Sequence, residues 1–254
     1  MTTDRKTTVL EHLRELRKRL LRSAIAVVIT SSVAFVFIDE LFELLKRPAL
    51  DLDPVPVFIF IEMTEGFVTY MRVALVAGIA AAMPFIMYQF LMFLIPALTG
   101  RERKAVLTLL PLITVMFAGG VAFGYIFLVP PAAQFLLSVG TEVAEVQPRL
   151  SNYVNFVTRL LLAIGIIFEL PVVTTFLARI GVISSKWLAD RRKLMIVLSF
   201  VLAAFITPTP DAVNQSIVAG TLIVLYEISI WLARLAQKRH RSAEEDEEAA
   251  LAEP

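Results

Sequence analysis

Six stretches of the chain are apolar and almost free of charged side chains, and this pattern constrains the fold more than any other feature. A helix needs about 20 mostly apolar residues to cross a hydrocarbon core of roughly 30 Å. Hydrophobic residues make up 57% of the 254 residues and charged residues 19%, whereas an average soluble domain has roughly 45–50% apolar residues. The sequence therefore predicts an all-α, polytopic membrane protein with six transmembrane helices, at Leu20–Ile38, Val68–Leu98, Ala105–Val129, Tyr153–Leu177, Leu194–Ile206 and Ala212–Ala236.

The connections between these stretches differ in length and composition. The turn Thr207-Pro-Thr-Pro-Asp211 joins the last two stretches and predicts a tight hairpin. The fifth stretch gives only about 20 Å of helix, so we expect it to thin the bilayer locally. Pro130-Pro131 predicts the end of the third helix, because proline lacks the amide that a helix interior uses. The long connection Asp39–Phe67 predicts a loop that covers the neighbouring helix ends.

Basic residues are distributed unevenly between the two sides of the predicted helices. Of the 24 Lys and Arg residues, 19 fall on the side that carries both termini, and acidic residues dominate the opposite side. Cytoplasmic loops of membrane proteins carry an excess of Lys and Arg, so we expect both termini in the cytoplasm. The chain then divides into a cytoplasmic amphipathic helix at 1–19, a six-helix membrane domain at 20–236 and a disordered, acidic cytoplasmic tail at 237–254.

Two acidic residues stand out because basic residues surround them on the predicted cytoplasmic side. Glu15 lies four residues before Arg19, which favours an ion pair along one helix; alternatively, Glu15 offers its carboxylate to a cationic partner. Glu102 lies between Arg101 and Arg103. Either these arginines neutralise it, or its carboxylate accepts a guanidinium in bidentate fashion. Two such carboxylates would select a ligand that carries more than one positive charge.

One acidic residue, Glu169, falls near the middle of the fourth apolar stretch. A carboxylate at that depth costs at least a few kcal/mol, so it indicates a functional site. The alternative is a structural role, in which a protonated Glu169 is hydrogen-bonded to a neighbouring helix. Pro171 follows two residues later and predicts a bend beside the acid, because it removes one backbone donor.

Motifs for catalysis or metal binding are missing from the sequence. Cysteine is absent, and the two histidines, His12 and His240, lie near opposite ends of the chain. We therefore predict no metal site and no cofactor. No glycine-rich phosphate loop, G-x-S-x-G or H-E-x-x-H occurs, so we predict neither an enzyme nor a nucleic-acid-binding protein.

Several short motifs follow one another along residues 9–232, each on the side of the membrane predicted above. They are His12-Leu-Arg-Glu-Leu-Arg-Lys-Arg-Leu20, Tyr88-Gln with Phe93-Leu-Ile-Pro-Ala-Leu98, Glu102-Arg, Phe168-Glu-Leu-Pro171, Thr207-Pro-Thr-Pro-Asp211 with Gln215, and Tyr226-Glu-Ile228. Together they resemble the motifs of the TatC family, the core subunit of the twin-arginine translocase. The resemblance implies six membrane helices in a concave, glove-like bundle in the cytoplasmic (inner) membrane, with short helices five and six and both termini cytoplasmic.

The same resemblance implies a function and partners. TatC proteins bind signal peptides that carry a twin-arginine motif. With TatA- and TatB-type single-span subunits, they export folded proteins across the membrane and use the proton-motive force. We also expect self-association in a complex within the lipid bilayer. The alternative from the residues alone is a secondary transporter of a small solute, in which Glu169 is the proton-coupling group.

Carried over by position, the resemblance assigns roles to individual residues. Glu15 and Glu102 would contact the arginines of the signal peptide. Glu169 would be the intramembrane polar site that faces the concave side, where a partner helix or the apolar part of the signal peptide docks. The remaining assignments are a supporting role at the peptide site for Leu16, Arg17 and Phe93, an external architectural role for Pro48 and Asp211, and partner binding for Gln215.

Overall fold

The computed structural model describes residues 3–52, 55–94, 100–138, 147–207 and 212–252, with backbone alone for 3–11, 94, 100–108 and 238–252. This part of the chain forms α-helices joined by short connections, and its only β-pairing is an isolated bridge between Ile59 and Arg149. The helices are α1 (Thr3–Val36), α2 (Ile38–Leu50), α3 (Glu65–Leu94), α4 (Gly100–Phe123), α5 (Val129–Ser138), α6 (Leu150–Phe168), α7 (Leu170–Arg179), α8 (Ser185–Asp190), α9 (Arg192–Ile206) and α10 (Ala212–Ala252).

Five helical segments of the described chain are long and apolar enough to cross a membrane. They are His12–Val36, Glu65–Phe93, Leu109–Ser138, Leu150–Arg179 and Ala212–Gln237. The fifth predicted span corresponds to α9, which has 15 residues and is therefore only about 22 Å long. The expected short helix is present, and six spans are compatible with these lengths. Helices five and six were both expected to be short. Of the two, α9 is short, whereas α10 continues for 41 residues.

The amino-terminal helix and the first span form one continuous helix, α1, of 34 residues. It packs against α3, and the contact is close at Gly78. The Thr30 hydroxyl donates a hydrogen bond to the Gly78 carbonyl at 2.7 Å, and a Cβ on Gly78 would collide with the side chain and backbone of Ser31. Glycine is therefore required here because the two backbones approach each other directly.

The third span continues past the two prolines that were expected to end it. A π-helical turn, Gly124–Leu128, follows α4 and leads directly into α5. Pro130 and Pro131 fall at the start of α5, directly after this turn, and the helix continues past both rings to Ser138. The prediction that Pro130-Pro131 stops the third helix is therefore wrong, because the wider π-helical turn accommodates both rings.

The connection between α1 and α3, predicted as a loop, contains a helix of its own. Ile38, Phe42, Leu45 and Ala49 of α2 recur on one helical face and are buried, which explains why this segment is helical. After α2, the Ile59 amide donates to the Pro148 carbonyl and the Leu150 amide donates to the Ile59 carbonyl. These bonds tie the connection to the start of α6.

The fourth span is broken beside its acidic residue. α6 ends at Phe168, α7 begins at Leu170, and Glu169 lies between them with Pro171 in the first turn of α7. The amides of Val172 and Val173 donate to the Glu169 carbonyl, which restarts the helix after the missing donor. The predicted interruption at this proline is confirmed.

The end of the chain differs from the expected disordered tail, because α10 runs to Ala252. The segment after residue 241 is acidic but rich in Ala, Glu and Leu, which are strong helix formers. Helix propensity therefore outweighs the low hydrophobicity on which the expectation of disorder depended. The division of the chain at residues 19 and 236 stays a prediction.

Candidate functional site

A basic groove runs along one face of α1, at the end that precedes its apolar part. Its volume is about 330 Å³, and it is lined by Arg14, Glu15, Lys18, Arg19 and Arg22. Glu15 is the only acid among these five residues. The groove therefore combines a positive field with one carboxylate, and a cationic group enters it favourably only where it reaches that carboxylate.

Arg19 holds the Glu15 carboxylate in a fixed orientation. Arg19 donates to Glu15 Oε1 through Nε, at 2.9 Å, and also through Nη2. Its third contact is from Nη1 to Gln89 Oε1 on α3, at 3.3 Å. The side chain of Arg19 is 16% exposed and that of Glu15 is 33% exposed. The ion pair expected from the four-residue spacing is thus confirmed, and it is additionally fixed to a second helix.

Both bonds from Arg19 end on the same oxygen of Glu15. Glu15 Oε2 accepts no hydrogen bond from any residue whose side chain the structure describes. A carboxylate offers about four lone-pair positions, so this carboxylate retains acceptor capacity on its partly exposed side. The predicted alternative, in which Glu15 binds an external cation, is geometrically compatible with the internal pair.

The end of α3 reaches the same region through an aromatic contact. The rings of Phe93 and His12 stack with centroids 4.5 Å apart and planes 19° apart. His12 lies three residues before Glu15, so the two side chains share a helix face. The structure therefore brings Phe93 to the Glu15 face of α1, and its supporting role in peptide binding stays a prediction.

Glu102 lies in the first turn of α4, two residues after its first residue, Gly100. Its side chain is outside the described part, as are residues 95–99, which connect α3 to α4. That connection is only five residues long, so the start of α4 lies within about 20 Å of Leu94. A first-turn position also favours a carboxylate, because helix N-termini carry a partial positive charge.

Two predicted supporting residues lie elsewhere on α1. Leu16 is 38% exposed and Arg17 is exposed, and neither lines the groove. Arg17 is two positions from Glu15, which corresponds to about 200° around a helix. The structure thus separates Arg17 from the Glu15 carboxylate, and a role for either residue in peptide binding stays a prediction.

Glu169 is buried in the membrane part of the protein, where it is 2% exposed. Neither of its carboxylate oxygens has a hydrogen-bond partner in the described part of the chain. The Phe117 backbone of the neighbouring helix α4 lies close to the carboxyl group, so the structural interpretation, a protonated Glu169 bonded to a neighbouring helix, stays open. Buried polar groups are nearly always paired, so an unpaired carboxyl group at this depth is the strongest anomaly in the bundle.

The surroundings of Glu169 are apolar. Val172 and Phe176, one and two turns further along α7, pack in a cluster with Met83 and Leu91 of α3 and with Phe117 of α4. Because these groups solvate the carboxyl group poorly, burial in this cluster penalises it. The residue is closed off within the single chain, so a partner could reach it only after the helices around it move.

The remaining predicted residues lie away from the groove. Gln215, near the start of α10, donates to the Phe200 carbonyl of α9 at 3.3 Å, which joins the last two helices. Pro48 is buried within α2. Asp211 lies outside the described residues. Gln215 and Pro48 therefore belong to the helical framework as the structure has it, and their assigned roles are not tested by it.

Two polar contacts were not predicted from the sequence. Gln89, which fixes Arg19, is a buried polar residue in an apolar stretch, and that isolation is the signal that marks it. The second contact is a cluster around Glu65 at the opposite end of α3. Glu65 Oε2 accepts from the Ile61 amide at 2.8 Å and from Arg149 Nη2 at 3.4 Å, and Ser151 donates to Oε1.

No group of three or more potential metal-ligating side chains occurs among the described residues. The candidate carboxylates are thus Glu15 on α1, Glu102 in the first turn of α4 and Glu169 between α6 and α7.

Comparisons with known proteins identify the family of the chain. Residues 11–220 match the family model described as "Sec-independent protein translocase protein (TatC)". The TatC protein of Carboxydothermus hydrogenoformans is 35% identical over 241 residues, which are 95% of this chain and 98% of that protein. The TatC protein of Aquifex aeolicus is 41% identical over 233 residues, which are 91% and 96% of the two chains.

A solved structure is also similar. A crystal structure described as that of the twin-arginine translocase receptor TatC has 40% sequence identity and a TM-score of 0.76, and the match covers 89% of this chain and 99% of that one. The predicted fold class is thereby confirmed, and the relatives are protein translocase components. The chain belongs to the TatC family of Sec-independent protein translocases.

Proposed function

We propose that this protein is the signal-peptide receptor and core of a twin-arginine translocase, and that it exports folded proteins. The single observation that carries the proposal is the Glu15 carboxylate: Arg19, itself fixed by Gln89, holds it in a basic groove, and its Oε2 accepts no hydrogen bond from the side chains that the structure describes. The Arg19 guanidinium already donates to this carboxylate, so the geometry of the carboxylate suits an arginine side chain. A second guanidinium, from a signal peptide, binds the free oxygen.

Two carboxylates are needed because one exposed ion pair contributes only about 0–1 kcal/mol. We assign the second to Glu102, in the first turn of α4, which a connection of five residues joins to the end of α3. Arginine is preferred over lysine because its planar fork makes two parallel hydrogen bonds to a carboxylate. Phe93 supplies an apolar contact beside the first carboxylate.

We further propose that the protein lies in the inner membrane with both termini in the cytoplasm, where the signal peptide arrives. The excess of Lys and Arg on that side supports this orientation. The chain contains no cysteine, so every introduced cysteine is unique. A membrane-impermeant maleimide added to intact cells should label Met63→Cys and should not label Ser184→Cys; the reverse pattern would invert the orientation.

The energy source and the partners complete the proposal. Because the sequence carries no nucleotide-binding motif, we propose that export uses the proton-motive force and requires TatA- and TatB-type single-span subunits. Glu169 is the position at which a partner helix or the apolar part of a signal peptide docks once the bundle opens. Its two unpaired oxygens support this assignment, because a docking partner would supply the missing hydrogen bonds.

Site-specific crosslinking tests the receptor role. A photoreactive group is placed beside the arginine pair of a signal peptide, and adducts to the first turn of α4 are measured with the full chain in native membranes. We expect Arg-Arg→Lys-Lys in the peptide and Glu102→Ala in the protein each to reduce the adduct. Asp190→Asn is the matched control, because Asp190 is an exposed carboxylate that also precedes arginines. Adducts that survive both changes would overturn the assignment.

A further inference from the structure

Five of the 24 basic residues lie outside the predicted cytoplasmic segments, and two of these five are within membrane-spanning helices. Arg72 lies in α3 and Arg159 in α6. Arginine is rare at membrane depth and is normally paired there. Nothing in the proposed export function uses either residue.

The two arginines lie on neighbouring helices and flank one polar side chain. Arg72 donates from Nη1 to Asn155 Oδ1, which joins α3 to α6. Arg159 follows Asn155 by four residues, so it lies next to Asn155 on the same face of α6. Both arginines are exposed. The guanidinium of Arg72 has five donor hydrogens, and Asn155 is the only described residue that accepts from it. Arg72 therefore keeps most of its capacity to donate hydrogen bonds.

Neither arginine has an ion-pair partner among the described residues, although a third arginine nearby does. Arg149 pairs with Glu62 and Glu65 at the end of the same two helices. Glu62 and Glu65 are thus committed to Arg149, and the other described acids leave Arg72 and Arg159 without an ion pair.

The depth of the two arginines brings their heads to the level of lipid headgroups. They follow the starts of α3 and α6 by seven and nine residues, or about 10 and 13 Å along the helix axes. Helical side chains tilt toward the helix N-terminus, which for both helices is the external end in the proposed orientation. Both guanidinium groups therefore extend toward the outer leaflet. The short helix α9 also packs against α6 and favours a thinned bilayer there.

The surface around the arginines is apolar and suits acyl chains. Val68 and Leu75, one turn before and after Arg72, are 50% and 48% exposed, and Ile166, two turns after Arg159, is 48% exposed. A free inorganic phosphate would gain nothing from these side chains. An acyl chain attached to a phosphate would cover them.

We propose that Arg72 and Arg159, positioned by Asn155, form a binding site for the phosphate of an outer-leaflet phospholipid whose acyl chains lie along α3 and α6. Two guanidinium forks match the several oxygens of a phosphate, and a bound phosphate removes the cost of two unpaired charges in an apolar environment. The leaflet depends on the orientation proposed above, whereas the site itself does not.

Native mass spectrometry of the purified full chain in detergent tests the site. The probes are dioleoylphosphatidylglycerol, dioleoylglycerol, which has the same chains without phosphate, and inorganic phosphate. We expect bound phosphatidylglycerol on the wild-type protein, with about tenfold or greater loss of occupancy in Arg72→Gln/Arg159→Gln, because two charge-assisted contacts disappear. The matched control is Lys46→Gln/Arg47→Gln, which removes two positive charges from α2 on the same side of the membrane.

Further variants separate positioning from charge and folding from binding. Asn155→Ala should weaken lipid binding by a smaller factor and should preserve the net charge. Arg72→Lys/Arg159→Lys should bind less than wild type, because lysine lacks the fork. Binding of a twin-arginine signal peptide to the same samples should be unchanged. That readout reports on folding and on the proposed receptor function independently of the lipid site.

Three results would overturn the proposal. One is equal phosphatidylglycerol occupancy in the wild type and Arg72→Gln/Arg159→Gln. A second is equal occupancy of dioleoylglycerol, or binding of inorganic phosphate alone. The third is co-purification of a single-span partner subunit that depends on the two arginines while lipid occupancy does not, which would assign the site to a carboxylate of that partner.

Discussion

Replacing Glu169 by methionine should stabilise the protein and impair export at the same time. The carboxyl group is 2% exposed, and neither of its oxygens has a hydrogen-bond partner among the residues that the structure describes. A buried, unsatisfied polar group costs about 1–3 kcal/mol even when it is uncharged, and more if it is ionised. Methionine is unbranched and of similar length, and it fills an apolar site flexibly. Removing the unsatisfied group should therefore recover about 1–3 kcal/mol.

The assay compares stability with export for a small set of variants. The melting temperature of the purified full chain in detergent should rise for Glu169→Met and stay close to wild type for Glu169→Gln, which keeps the hydrogen-bonding groups. Glu169→Ala leaves a cavity and should lower the melting temperature. Export of a folded reporter should fall for both Met and Ala, and Ala should be impaired more than Gln.

Thr158→Val is the matched control for the stability measurement. Thr158 is also buried in α6, but its hydroxyl donates to the Val154 carbonyl at 2.7 Å, so no unsatisfied group is relieved. We expect no gain in melting temperature. The reasoning would be refuted if Glu169→Met lowered the melting temperature, or if Glu169→Met and Glu169→Ala both exported the reporter at the wild-type rate.

Three further changes test the helix contacts. Gly78→Ala should cost about 1–3 kcal/mol of stability, because its Cβ overlaps Ser31, whereas Gly119→Ala, with no atom within 4 Å of the new Cβ, should be neutral or stabilising in thermal unfolding. Glu65→Ala removes the acceptor for Ile61, Arg149 and Ser151 and should speed proteolysis of the connection before α3. An unchanged rate of proteolysis would contradict this role. Gln237→Ala breaks bonds to Ser185 and Ile183 and should lower the melting temperature; an unchanged value would count against that anchor.

Local patterns in the sequence predict much of the fold. Long apolar stretches give the spans because hydrocarbon thickness sets the length of a helix. Pro171 gives the break beside Glu169 because the missing amide acts within one turn. The Glu15–Arg19 pair follows from a four-residue spacing on one helix. Each of these features is decided by neighbours along the chain.

Features that depend on contacts between distant residues could not be predicted. Gln89 is 70 positions from Arg19, and Asn155 is 83 positions from Arg72, so no spacing rule relates them. Pro130-Pro131 was expected to end a helix, but a π-helical turn lies directly before the two rings and the helix continues to Ser138. After residue 241, the low hydrophobicity indicates disorder, whereas the content of Ala, Glu and Leu favours a helix. The structure has a helix there.

The central claim is that Glu15 recognises an arginine of the signal peptide through the acceptor capacity that Arg19 leaves free. The most direct measurement is a double-mutant cycle of equilibrium binding, with wild type and Glu15→Gln against peptides that carry Arg-Arg or Lys-Lys. A partly exposed ion pair predicts a coupling free energy of about 1 kcal/mol, or roughly fivefold in affinity. Asp190→Asn in the same cycle should show none. A coupling energy of zero for Glu15, with both peptides weakened equally or not at all, would contradict the account.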